Sequence, residues 1–257
     1  MQIDGCTALV TGANRGIGLG FVRQLLKQGA KRVYVASRSI ADANEIVKEA
    51  PDKLIALELD VTQPSQVTLA TQRCTDVNLL INNAGVYLGA TLMEAETMAA
   101  MRLEMEVNYF GVVAMCRAFA PILKQNGGGA IGNINSAGGI ISSPIMGGYS
   151  PSKFASRSAT ACIRAELEPS GILVTALIVG AVDTRMAAAV IGAKAKPEDI
   201  AQQGLFAIKN NIDEWDTDPM AINVRAKLAL DPKAMEAMMK KRLESGVLNT
   251  AESTKIY

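Results

Sequence analysis

The chain of 257 residues contains no histidine. That absence removes whole classes of chemistry, because Ser-His-Asp hydrolysis, Cys-His nucleophiles and histidine-ligated metal sites all need an imidazole. No metal site is expected, and proton transfer must fall to Tyr, Lys, Asp, Glu or Cys. Cysteine is sparse as well: Cys6, Cys74, Cys116 and Cys162 stand apart without any Cys-x-x-Cys spacing. Such scatter suits reduced, structural thiols better than disulfides or zinc ligands. Nor is there an excess of one charge. With 26 Lys and Arg against 25 Asp and Glu, the formal net charge of +1 leaves no basic surplus for a phosphate backbone, so no nucleic-acid partner is expected. Although 49% of residues are hydrophobic, no run approaches the roughly 18–20 uncharged apolar residues of a membrane helix. The N-terminus, MQIDGCTALV, enters its first apolar run at once, leaving no room for the basic and apolar regions of a signal peptide. A cytoplasmic location is the resulting expectation.

What the chain does contain is organised around Thr7 to Gly20, TALVTGANRGIGLG. An apolar run ends in Thr11-Gly12, glycines recur at Gly16 and Gly18, and Phe21, Val22, Leu25 and Leu26 follow at helical spacing. This is a strand, a tight turn and a helix. Glycines there allow positive φ and close approach of a phosphate to the N–H groups of a helix N-terminus. The same pattern also suits a strand-to-helix turn without a ligand.

The next apolar run, Arg32 to Ala36, ends in Ser37-Arg38-Ser39. In a dinucleotide fold an acid at this place binds the adenosine ribose, whereas Arg accommodates a 2′-phosphate. Here no acid is present, and Arg15 within the glycine turn offers a second positive charge. NADP(H) is therefore expected over NAD(H), although each arginine taken alone also suits a solvated surface charge. Further strands are expected over Leu54–Glu58, Val77–Ile81, Ala130–Ile134 and Leu173–Val179, with a short edge strand at Ile212–Trp215. Helical segments alternate with them. That alternation predicts an α/β fold, a doubly wound parallel sheet of about seven strands with helices on both faces, as one domain over 1–257. Helices from about Pro219 and from Pro232 to Glu244 form a C-terminal tail, about 219–245.

The segment Ala95 to Gln125 is long and periodic, and between Val107 and Ala120 its only charge is Arg117. A helix so apolar is buried on two faces, and Asn108 within it needs hydrogen-bond partners. Together with the segment at about 150–168, it is the expected surface of a homodimer or homotetramer. Ser136 stands just past the fifth strand, and Tyr149 and Lys153 at i, i+4 share a helix face. An ammonium about 5 Å from a phenol favours the phenolate by roughly 3 kcal/mol at an effective dielectric near 20, placing the phenol about two pK units below its ordinary value. Tyr-x-x-x-Lys is also common on solvated helices.

From Thr7 to about Thr184 these residues resemble the short-chain dehydrogenase/reductase family. Thr11-Gly12-x-x-x-Gly16-x-Gly18 is similar to its cofactor turn, Asp60 to its adenine-side residue and Asn82-Asn83-Ala84-Gly85 to its fourth-strand motif. Asn108, Ser136, Tyr149 and Lys153 match its catalytic tetrad in order. The resemblance implies that Tyr149 exchanges the proton with a carbonyl or alcohol oxygen, that Lys153 lowers the Tyr149 pKa and holds the nicotinamide ribose, that Ser136 hydrogen-bonds the substrate oxygen, and that Asn108, through its backbone and a water, links Lys153 to solvent. It implies a cofactor site made of Gly12, Asn14, Arg15, Gly16, Ile17, Gly18, Ser37, Arg38, Asp60, Val61, Asn83, Ala84, Gly85, Tyr149, Lys153, Gly180, Val182 and Thr184. Val179 stands where the family usually has proline, so a looser turn is expected after the sixth strand. The segment about 184–211 is the expected substrate lid, with Met186, Val190 and Ile191. Val86, Tyr87, Ile140, Ile141, Pro144, Ile145 and Met146 are the expected apolar wall opposite it. The expectation is an NADP(H)-dependent oxidoreductase acting on a small, hydrophobic ketone or aldehyde, or the reverse. The alternative is a catalytically silent NADP(H)-binding protein of the same fold.

Overall fold

The apolar runs become strands, the central ones buried on both faces. In the computed structural model, which describes residues 1–89 and 91–245, seven strands make one sheet: β1 (Thr7–Thr11), β2 (Arg32–Ser37), β3 (Leu54–Glu58), β4 (Leu79–Asn82), β5 (Gly129–Ser136), β6 (Ile172–Val179) and β7 (Glu214–Asp216). Their order is β3-β2-β1-β4-β5-β6-β7 and every pair is parallel. The chain steps outward from β1 to β3 and then returns to place β4 beside β1. An open α/β sheet binds its ligand at the carboxyl ends of the strands flanking such a reversal. Every residue of β1 and of β4 is buried, which is why both read as continuous apolar runs rather than alternating ones.

Nine helices among the described residues cover the sheet and extend past it: α1 (Gly16–Lys27), α2 (Ile40–Val47), α3 (Pro64–Arg73), α4 (Ala99–Met105), α5 (Val112–Gln125), α6 (Tyr149–Leu167), α7 (Pro197–Lys209), α8 (Pro219–Leu230) and α9 (Pro232–Glu244). On one face Phe21 and Leu25 of α1 and Leu205 and Ile208 of α7 pack with Val10, Ile81 and Leu177. On the other, Met115, Phe119 and Leu123 of α5 pack with Leu9, Leu80 and Ile131. The tail helices α8 and α9 occupy the place expected for them, and residues 246–257 of the expected domain lie outside the described residues.

Two expectations are corrected. The long segment to Gln125 is not one regular helix, because α4 and α5 are joined by a π turn, Glu106–Gly111. Such a turn re-aims the side chains it carries and is frequent at functional sites; this one carries Asn108. Second, the C-terminal part of the expected lid is a core helix: Ile200, Ala201, Leu205, Ala207 and Ile208 of α7 are fully buried against the sheet and α1. The apolar stripe of α7 covers a partner far away in sequence, so the stripe alone could not identify what it packs against. The segment 184–194 before it contains no buried residue. Its base is closed where Asp183 N–H donates to the Ala195 carbonyl and Ala195 N–H to the Ala181 carbonyl, both at 2.9 Å.

Candidate active site

At the carboxyl end of β1 the chain turns with φ of +62° at Gly12 and +54° at Gly16, the left-handed region that glycine enters without strain. A Cβ at Gly18 would collide with the Gly12 carbonyl and lie 2.6 Å from Asn83 Nδ2, so the helix can start this close to the strand only without a side chain. Thr11 and Asn83 lace β1 to β4. Thr11 Oγ1 accepts from the N–H groups of Asn83 and Ala84 at 3.0 Å, and Asn83 Nδ2 donates to the carbonyls of Thr11 at 2.9 Å and Gly12 at 3.1 Å. The first turn of α1 holds no acid, and its N-cap residue, Arg15, gives it no side-chain hydrogen bond. Uncapped amides at the positive end of a helix dipole are a ready anion site. A narrow glycine cradle opening on such amides fits the pyrophosphate of a dinucleotide.

Beside this turn lies a cleft of about 580 Å³. Every expected site residue lines it except Gly18, which lies behind the turn, and Asn108, which is fully buried. Ser37 and Arg38 reach it from the end of β2, and Asn14 donates from Nδ2 to Asp42 at 2.9 Å. Burial, and then repulsion from Arg185 and Arg38, hold the Arg15 guanidinium below its ordinary pKa, with Asp42 opposing. Three arginines thus crowd one corner of the cleft, an arrangement that an anion relieves. One carboxylate oxygen of Asp60 is engaged: its Oδ1 accepts from the Thr62 N–H at 2.9 Å and hydroxyl at 2.7 Å, which fixes the Asp60-Val61 turn.

The tetrad residues converge from three elements. Ser136 ends β5, and its Oγ accepts from Gly138 N–H at 3.1 Å, so its own proton remains available to an acceptor. Tyr149 begins α6, its ring edge-on to Tyr87 with centroids 5.2 Å apart. One turn later Lys153 Nζ lies 5.8 Å from the centre of the Tyr149 ring and donates to the Ile134 carbonyl at 2.8 Å. Asn108 Nδ2 donates to Ser152 Oγ at 3.0 Å, and the Ser152 hydroxyl donates to the Tyr149 carbonyl at 2.7 Å. The side chain of Asn108 therefore holds the first turn of α6 rather than reaching Lys153 itself.

The electrostatics differ from expectation. Burial pushes the Tyr149 hydroxyl up to about 12, with the Ser136 hydroxyl pulling the other way and the Glu104 charge adding to the rise. Burial also brings Lys153 down to about 8. Coulomb attraction alone predicts a lowered phenol, but desolvation disfavours both charged forms, and in this cleft it dominates. At neutral pH Tyr149 is a proton donor and Lys153 remains largely charged.

After β6 the turn that lacks proline is pinned rather than loose. Asp218 Oδ2 accepts from Gly180 N–H at 2.7 Å, while its Oδ1 caps α8 by accepting from Met220 and Ala221 N–H at 3.0 and 3.1 Å. Of the expected apolar wall, Val86 and Tyr87 line the cleft, and Met186 faces it from the lid. Ile140 and Ile141 do not: they pack under the tail helices, with Ala221 and with Met235 and Met239. Leu103, Arg185, Glu104 and Asp218 are the residues of this region that the motifs leave out. Of these only Arg185 adjoins a motif residue, Thr184.

Residues 6–194 match the family model described as short chain dehydrogenase. The 3-alpha-(or 20-beta)-hydroxysteroid dehydrogenase of Mycobacterium bovis is 35% identical over 208 residues, which is 79% of this chain and 77% of that protein. A short chain dehydrogenase from Burkholderia cenocepacia, solved in complex with NADP, has a TM-score of 0.87 at 39% identity, covering 93% of this chain and 99% of its own. A 3-ketoacyl-(acyl-carrier-protein) reductase from Brucella melitensis, complexed with NADH, has a TM-score of 0.75 at 28% identity, covering 84% of this chain and 95% of its own. Both nicotinamide dinucleotides thus occur among its structural neighbours.

Proposed function

Because the chain belongs to the short-chain dehydrogenase family, whose chemistry is the oxidoreduction of an alcohol and its carbonyl, we propose that it is an NADP(H)-preferring reductase of an apolar ketone or aldehyde, or a dehydrogenase of the matching alcohol. One observation carries the reading: Ser136, Tyr149 and Lys153 meet in the same cleft that begins at the Gly12–Gly18 turn.

When bound, the dinucleotide supplies or takes up the hydride. The glycine turn and the first amides of α1 would hold its pyrophosphate, Arg15 and Arg38 its 2′-phosphate, Lys153 and Tyr149 its nicotinamide ribose, and Val182 and Thr184 its carboxamide. Ser136 donates its hydroxyl proton to the substrate oxygen and orients it. In reduction Tyr149 gives its proton to that oxygen; in oxidation it takes one back. The Lys153 ammonium, held by the Ile134 carbonyl through one of its three N–H bonds, keeps two for ligand and for stabilising the phenolate. Asn108 and Ser152 fix the turn of α6 from which both side chains project. Segment 184–194 closes over the substrate, and the walls supplied by Val86, Leu103 and Met186 favour an apolar body around one carbonyl.

The arginine corner supports NADP(H) over NAD(H). Self-association belongs to the same reading, as a homodimer or homotetramer in the cytoplasm: Phe110 and Phe154, on the two sparsely charged segments, are 52% and 36% exposed. Light scattering that shows a stable monomer at micromolar concentration contradicts it. The reaction is tested by a panel of ketones, aldehydes and alcohols, hydroxysteroids and ketoacyl thioesters included, run with NADPH and with NADH. Turnover of an apolar carbonyl with NADPH preferred is the expected result; tight dinucleotide binding without any turnover overturns it.

A further inference from the structure

Glu104 is a carboxyl with only 2% of its surface exposed, and the mechanism above does not use it. It lies on α4 four residues before Asn108, so the two side chains emerge on the same side of the helix. Asn108 binds the backbone of Val86, and Glu104 Oε1 accepts from Leu88 N–H at 2.8 Å. Between those two anchors sits Tyr87, whose ring meets Tyr149. Glu104 also meets the start of α6, where Tyr149 stands. A Cβ on Gly148, the residue before it, would come within 2.6 Å of Glu104 Oε2 and 2.7 Å of Met101 Cα. Glycine at 148 is what lets α4 bring a carboxyl this close to the start of α6.

Such a carboxyl has no cation to match it: among the described residues Glu104 makes no ion pair. The elements packed against it contribute Tyr149 and Lys153 from α6 and Tyr87 from the segment after β4 as titratable groups. On its own side of the chain, Arg102 and Glu106 are exposed. We propose that Glu104 is the positioning residue through which pH acts on Tyr149, its carboxylate holding the Leu88 N–H and its charge setting the field at the Tyr149 hydroxyl. The inference rests on the reading of Tyr149 as the proton donor. Burial raises the Glu104 carboxyl to about 7, with the Leu88 N–H opposing, so its charge changes in the neutral range. Once ionised, it holds the phenol in its protonated form and favours reduction; protonated, it eases formation of the phenolate.

The test uses the full chain labelled with 13C at the tyrosine Cζ and glutamate Cδ carbons, titrated by NMR from pH about 5.5 to about 9, a window spanning the Glu104 change but not that of an ordinary carboxylate or tyrosine. Tyr149→Phe assigns the tyrosine resonance. The expected result is a step in the Tyr149 signal whose midpoint coincides with that of the Glu104 carboxyl and which disappears in Glu104→Gln, a variant that keeps an acceptor for Leu88 N–H. A step from Lys153 at higher pH persists in both proteins. No neutral step in the wild type, or one whose midpoint departs from the Glu104 carboxyl, overturns the inference even if the variant fails to fold. An unchanged step in a folded Glu104→Gln overturns it too. In turnover, Glu104→Gln moves the rising limb of kcat/KM for alcohol oxidation to lower pH by about half a unit to one unit. The resonance measurement needs no substrate. A coincident step without turnover therefore refutes the reductase reading alone, and turnover without the step refutes the Glu104 inference alone.

Discussion

Asn108 and Val86 are joined by a reciprocal pair of hydrogen bonds, the side-chain Oδ1 accepting from the Val86 N–H and Nδ2 donating to the Val86 carbonyl, each at 2.9 Å. The pair works as a strand-like contact made by a side chain. It exists because the π turn aims residue 108 at the segment after β4. Asn108→Ala leaves both Val86 backbone groups buried without a partner and releases Ser152. Since each orphaned group costs about 1–3 kcal/mol, the expected loss is about 3 kcal/mol in urea denaturation. Turnover is expected to fall by at least about tenfold, because the first turn of α6 carries Tyr149 and Lys153.

Arg15 and Arg38 are expected to select the dinucleotide. A charge-assisted hydrogen bond to phosphate is worth about 1.5–3 kcal/mol, so Arg15→Ala or Arg38→Ser should each lower kcat/KM for NADPH by about ten- to a hundredfold. Activity with NADH should change little. Steady-state kinetics with both dinucleotides in each variant check this; a preference for NADPH that survives the double substitution contradicts it.

Asp218 joins the turn after β6 to the N-terminus of α8. Replacing it with alanine removes a helix cap and the acceptor of Gly180 N–H, at a combined cost of about 2–4 kcal/mol. Thermal unfolding reads the stability. Calorimetric titration with NADPH should show weaker binding, because Gly180 lines the cleft proposed to hold the dinucleotide.

Glu104 also predicts how stability varies with pH. Its carboxyl is raised from the ordinary 4.5 to about 7 in the fold, so between those values the folded state holds the proton and the unfolded state has released it. The stabilising contribution is complete below about 4.5 and is lost as pH rises through about 7, amounting to about 3 kcal/mol at most. Urea melts at several pH values should therefore show wild type losing more stability than Glu104→Gln between acid and neutral pH. Parallel curves contradict this.

How much of this was legible in the sequence follows from the range of the interactions. The glycine turn, the apolar strands and the order of Asn108, Ser136, Tyr149 and Lys153 are local patterns, and they locate the sheet and the cleft. What local pattern hides is the partner. Glu104 reads as one more polar position of a periodic helix, because its burial depends on Gly148 and Leu88 coming together in the fold. Asp218 and Gly180 are 38 residues apart, and nothing near either announces the bond. The stripe of α7 reads equally well as lid or core until α1 is set beside it. The raised Tyr149 pKa is hidden from the sequence because spacing conveys the charge of Lys153 but not the desolvation of both groups.

The reductase reading turns on the proton carried by Tyr149, and Tyr149→Phe removes that proton while keeping the ring against Tyr87. Its kcat/KM with NADPH and the best carbonyl from the panel should fall by about a hundred- to ten-thousandfold, the usual contribution of a general acid. The dissociation constant for NADPH, measured alongside by fluorescence, should change by less than about tenfold. Turnover within a few fold of wild type in this variant would contradict the proposed mechanism.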